Sequence, residues 1–273
     1  MARGEPPPGG SAIIVTGEHA TPRHPATPGT PITAPRSAGQ AHRLGLRWGF
    51  VLAVAVLAGS NLVSNLLLTG IGYLPWNLAV TALLLVLARR CGLSWSDLGL
   101  QNKRLRRGLL VGASVASLIA LIYTIGWALP ATRSVFADQR AAGTVQTMLL
   151  AALIQIPLGT VVLEEVAFRG VLPALFGGGR FWPTALASSA LFGLWHILPS
   201  LGVSRTNAAM GATIGGMGLL VQTVVVVVAM TGAGMLLMIH RRWGGHLVSP
   251  VIAHIATNSF GVLIAWLVIT HSG

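Results

Sequence analysis

Six acidic residues occur among the 273 of this chain. Two of them, Glu164 and Glu165, stand side by side after the apolar run LLAALIQIPLGTVVL. A carboxylate at bilayer depth costs about 2.5–3.5 kcal/mol, and a like-charged neighbour adds to that, so the pair requires a partner. Arg169 lies four residues beyond Glu165, one helical turn away on the same face, where an ion pair can form. Glu164 is then left to exchange a proton with a reacting group. The plainer alternative is a solvated acidic pair at a cytoplasmic helix end, with Arg169 in water. His196 follows Phe192 by one turn in SSALFGLWHILPS, and His254 precedes Asn258 by one turn in SPVIAHIATNSFG. His254 and Asn258 therefore project from one helical face. Taken singly, these residues fit a packing role, since His and Asn often bridge transmembrane helices. Taken together, a carboxylate and two imidazoles that converge can deprotonate water, or bind a divalent metal that does so. An Asn amide or a second His can then steady the oxyanion of an attacked carbonyl.

Such groups need a scaffold, and the composition says which kind. Hydrophobic residues make up 53% of the chain and charged residues 9%, against about 25% charged in an average soluble domain. That is too little charge to cover a water-soluble surface, which leaves an all-α polytopic transmembrane helix bundle with the polar site inside it. The formal net charge of +12 comes from 18 Lys and Arg against six acids. These basic residues sit between apolar runs, so membrane orientation explains them and nucleic acid is not an expected partner. The lone Cys91 permits no internal disulfide and no thiolate metal cluster.

Residues 1–43 hold eight of the 15 prolines and lack apolar periodicity, which predicts a disordered N-terminal arm. Residues 44–144 are expected to form N-terminal transmembrane helices and a basic cytoplasmic loop, and 145–273 the helical core that carries the site. About seven spans (six to eight) are expected, near 49–72, 76–90, 108–129, 145–163, 183–199, 208–240 and 246–269. The stretch 208–240 could hold one tilted helix or two pieces. With the N-terminus inside and the C-terminus outside, 15 basic residues fall on the cytoplasmic side and three, Arg133, Arg140 and Arg205, on the other. The positive-inside rule favours that orientation in a plasma (inner) membrane. These spans place Glu164 at an inner helix end and His196 nearer an outer one. For the two to meet, the fourth helix must run deeper or the fifth must be bounded differently.

The segments EEVAFRG, FGLWH and PVIAHIATN resemble the three motifs of the CPBP family of intramembrane proteases, written EExxxR, FxxxH and HxxxN. This family includes CAAX proteases and bacteriocin-processing (Abi) enzymes and is also described as CAAX prenyl protease 2/lysostaphin resistance protein A-like. The resemblance covers about 145–273, with LSWSDLGL at 93–100 similar to a recurrent stretch upstream. It implies a membrane endopeptidase, labelled a metalloprotease, acting on a membrane-embedded or membrane-associated peptide substrate in the lipid bilayer. Carried over motif by motif, it implies that Glu164 activates water with His196 as partner. It gives His254 and Asn258 to oxyanion stabilisation or metal contact, and Glu165, Arg169 and Phe192 to support. Zn²⁺ held by Glu164, His196 and His254 is chemically reasonable, although no HExxH is present to favour it. Two other readings compete: a non-proteolytic scaffold or immunity-type protein that uses the polar cluster for packing, and a small-solute transporter, against which the lack of repeated halves counts.

Overall fold

The computed structural model describes residues 36–68, 70–177 and 179–271, and most of the arm expected over 1–43 lies outside them. The first helix begins at Arg36, within the limit expected for that arm. Among these described residues seven long helices follow one another: α1 Arg36–Leu62, α2 Tyr73–Arg90, α3 Leu105–Ala128, α4 Val145–Leu175, α5 Phe181–Trp195, α6 Leu219–Gly244 and α7 Val248–His271. Among the described residues there is no strand, only an isolated bridge between Asp138 and Asn207. The all-helical, polytopic class expected from composition is the class observed.

Among the described residues five stretches are long and apolar enough to cross a bilayer: Gly45–Leu67, Asn102–Ala128, Val145–Leu175, Leu219–Gly244 and Val248–His271. The other two long helices are α2, of 18 residues and ending in Arg89-Arg90, and α5, of 15 residues. Leu110, Leu118, Leu121 and Ile122 of α3 and Leu220 and Val228 of α6 all turn outward and are more than half exposed. Such a surface is stable against lipid and would be a liability in water.

One boundary left open by the sequence takes the second of its two forms, and another differs from the expectation. The stretch 208–240 breaks at its glycines into a short helix, Ala208–Ile214, and the start of α6 at Leu219. The fourth span, expected to stop at 163, continues to Leu175. It does so through two wide π-type stretches, Ala151–Val161 around Pro157 and Val166–Val171, which flank the α-helical turn Val162–Glu165. Proline cannot donate the intrahelical bond at its own position, and a wide turn accommodates the gap. The two glutamates thus lie within the helix rather than at its end.

The core forms around them. Leu84 of α2, Leu163 and Leu172 of α4, Phe192 of α5 and Leu98 from the 93–100 loop are fully buried together. Helices α5 and α6 approach closely because Gly193 has no side chain, and a Cβ there would stand 2.5 Å from the carbonyl oxygen of Val227. Small residues at a helix crossing permit this contact where lipid gives no hydrophobic drive for association.

Candidate active site

The turn Val162–Glu165 carries both carboxylates inward, with Glu164 4% exposed and Glu165 0%. Neighbouring residues of an α-helix point about 100° apart, so the two reach different partners. Glu165 Oε1 lies 2.9 Å from Arg169 Nη1 and 2.7 Å from His254 Nδ1. A carboxylate can only accept, so the imidazole presents its Nδ1–H to Glu165, and its Nε2 is turned towards Glu164. Glu164 Oε1 accepts from the indole Nε1 of Trp195 at 2.9 Å. Its Oε2 stands 3.7 Å from His254 Nε2, too far for a direct hydrogen bond, and has no hydrogen-bond partner. Glu165 Oε2 is likewise unpartnered. Buried acceptors of this kind are usually met by ordered water.

Phe192 organises the other side. The Arg169 guanidinium carbon sits 4.0 Å from its ring centroid, a cation–π contact in a water-poor setting. The His196 ring is 4.4 Å from it, His254 6.0 Å and Phe168 5.3 Å, all edge-on. Arg169 is thereby held between a carboxylate and an aromatic face, which compensates a charge that is only 2% exposed. His196 caps the C-terminus of α5, where its Nδ1 is 2.8 Å from the carbonyl oxygen of Phe192. Asn258 lies one turn beyond His254 on α7 and is half-buried.

The EExxxR and HxxxN segments therefore meet through the direct contacts of Glu165 with Arg169 and His254, with Glu164 facing His254 across a gap. FxxxH joins them through the ring of Phe192, and among the described residues no bond runs from His196 or Asn258 to either carboxylate. The expectation that Glu165 pairs with Arg169 one turn away is met in the fold. Trp195 was not foreseen, although it stands in FGLWH directly before His196. An indole in an apolar helix end needs an acceptor for its N–H, and the carboxylate one helix away supplies it. Asn61 of α1 was also missed; it donates to the Trp195 carbonyl at 2.9 Å and fixes that helix end.

A zinc ion would need three or more protein ligands turned to one point. Among the described residues no three His, Cys, Asp or Glu side chains gather in that way. Glu164 Oε2 and His254 Nε2 face one another, while Glu165 Oε1 and His254 Nδ1 are spent on each other. These donors do not make up a zinc set.

No curated protein and no solved structure matches the chain. The family model described as Type II CAAX prenyl endopeptidase Rce1-like matches residues 145–260, which contain all three motifs. The buried Glu164–His254–Glu165–Arg169 constellation, set in a bundle of lipid-facing helices, lies wholly within that stretch, and residues 145–260 are thus similar, motifs and buried polar site included, to the Rce1-like type II CAAX prenyl endopeptidases.

Proposed function

We propose that Glu164 and His254 hold and activate the water that cleaves a membrane-anchored peptide near the cytoplasmic face. The observation that carries this reading is the unpartnered Glu164 Oε2, 3.7 Å across from His254 Nε2. A water seated beside a pair at that separation can reach both atoms. Glu164 takes a proton from this water as the oxygen attacks the scissile carbonyl carbon. The C–N bond then breaks, and Glu164 returns the proton to the departing nitrogen. Glu165 keeps His254 in the tautomer that turns Nε2 to the reacting centre, and Arg169 holds the Glu165 carboxyl in place. Asn258, on the same face of α7 as His254, and His196, across the Phe192 ring, are placed to steady the oxyanion.

The arginine-rich ends of the helices support an orientation with the N-terminus in the cytoplasm and the C-terminus outside. The test is cleavage of a library of membrane-anchored peptides by the purified full-length protein, with and without a chelator. Wild type is expected to cut with or without the chelator, and Glu164→Gln and His254→Gln to fold and be inactive. Cleavage by folded Glu164→Gln at the wild-type rate would defeat the assignment, and loss of cleavage on chelation would replace the metal-free water with a metal-bound one.

A further inference from the structure

A second cavity, of about 960 Å³, opens where α2, α4 and α6 end and α3 and α5 begin. Its lining includes Arg47, Arg104, Arg169, Arg241 and Arg242, with Asp97 as its one acid. Five arginines less one aspartate give the lining a formal charge of +4. Membrane orientation explains why arginines collect at this end of the bundle. It does not explain why they converge on one cavity, nor why two of them give up water to do so.

Arg169 is buried, lines the cavity and has no hydrogen-bond partner for Nη2. Arg241 is half-buried, and its Nε is also unpartnered. The fold makes room for both neighbours of the cavity mouth. Gly99 adopts a φ of +80°, and a Cβ there would overlap the Arg241 guanidinium; Gly245, at φ +67°, leaves space for the Arg104 side chain, whose Cδ would lie 2.8 Å from a Cβ. Leu247 N–H binds the Gly99 carbonyl at 2.8 Å and locks these two turns together. Asp97 does not neutralise the group, because its Oδ2 is taken by the Ser94 backbone N–H and hydroxyl, each at 2.7 Å.

Arg169 is held on Glu165, but Arg104 and Arg241 meet no carboxylate among the described residues, and guanidinium forks so placed match the oxygens of a phosphate. Trp182 and Trp243, 59% and 56% exposed, flank the same end of the bundle, as side chains at headgroup level do. We infer that this cavity is a binding site for a phosphate-bearing anion, supplied by the headgroup of an anionic lipid in the arginine-side leaflet. The site does not depend on peptide hydrolysis and is read without it.

The experiment uses the full-length protein in neutral detergent and counts retained lipid by native mass spectrometry, offering phosphatidylglycerol and phosphatidylcholine of the same chains. Retention of phosphatidylglycerol is expected to exceed that of phosphatidylcholine by about tenfold or more, equivalent to ~1.4 kcal/mol. Arg104→Gln and Arg241→Gln are each expected to remove most of that preference, and Arg241→Lys to weaken it although the charge is kept. Arg106→Gln, which removes an exposed charge that does not line the cavity, is expected to leave it unchanged. In a separate arm, inorganic phosphate is titrated against thermal melting in lipid-free detergent. Stabilisation that Arg241→Gln abolishes, without a lipid preference, would keep the phosphate site and assign it to a soluble anion. Equal retention of the two lipids with no response to phosphate would overturn the inference, as would an Arg106→Gln loss equal to that of Arg241→Gln.

Discussion

Replacing Trp195 with Phe separates the two things the indole does. The phenyl ring keeps the edge contact with Phe168, whose centroid lies 5.8 Å from that of the indole, but it cannot donate to Glu164 Oε1. A hydrogen bond to a charged group contributes about 1.5–3 kcal/mol. At ~1.4 kcal/mol per tenfold, kcat/KM should fall by about tenfold to a hundredfold on a peptide the wild type cleaves. The loss should appear in kcat, because the indole touches the carboxylate and not the apolar body of a substrate. Melting in the same detergent measures how much of the effect is shared by the resting enzyme, since the variant also leaves a buried oxygen unpartnered. Activity within about twofold of wild type, beside an inactive Glu164→Gln, would mean that the indole only packs and that His254 alone places Glu164.

Other perturbations probe the supports. Arg169→Gln should cost about 3–5 kcal/mol in stability, because it strands a buried Glu165; adding Glu165→Gln should recover much of that, measured by unfolding of both variants. Gly193→Val should lower the melting temperature strongly, since its side chain would collide with the Val227 carbonyl and Thr231 of α6. Overpacking of this kind costs about 1–3 kcal/mol or more. Outside the membrane, the hydroxyl and then the backbone N–H of Ser94 hold the Asp97 carboxyl below the usual carboxylate range. Its contribution to stability is therefore complete above the ordinary carboxylate pKa of about 3.9 and disappears as pH falls through the lower folded value. Asp97→Asn should remove that part of the acid dependence of melting.

Much of the candidate site could be read from residue type and spacing. Two carboxylates after an apolar run with an arginine four residues on fit either a buried, paired group or a solvated helix end, and Glu165 and Arg169 take the buried, paired form. Depth was harder to read. Charge ordinarily ends a span, so Glu164 and Glu165 looked like a terminus, whereas a cation one turn on in α4, with an imidazole and an indole from other helices, lets α4 continue past them to Leu175. Those partners are distant in sequence: His254 is 89 residues from Glu165 and Trp195 31 from Glu164. Local periodicity has no access to such pairs, and for the same reason it could not say that His254 would spend Nδ1 on Glu165. The break near Gly215–Gly218 was open from the sequence because apolar content alone does not reveal where a long run folds back.

The brevity of α5 has a mechanical consequence for the surrounding lipid. Fifteen residues rise only ~23 Å, short of a hydrocarbon layer about 30 Å thick. Beyond Trp195 the chain leaves the helix in a run of turns, where the Ser200 hydroxyl donates to the His196 carbonyl at 2.5 Å. Irregular backbone at such depth persists only beside protein or water. Lipids next to this face must therefore compress, or a wetted funnel must reach down to the imidazole of His196. Either adjustment grows costlier as acyl chains lengthen, so turnover in vesicles of increasing chain length should decline even where the folded fraction does not.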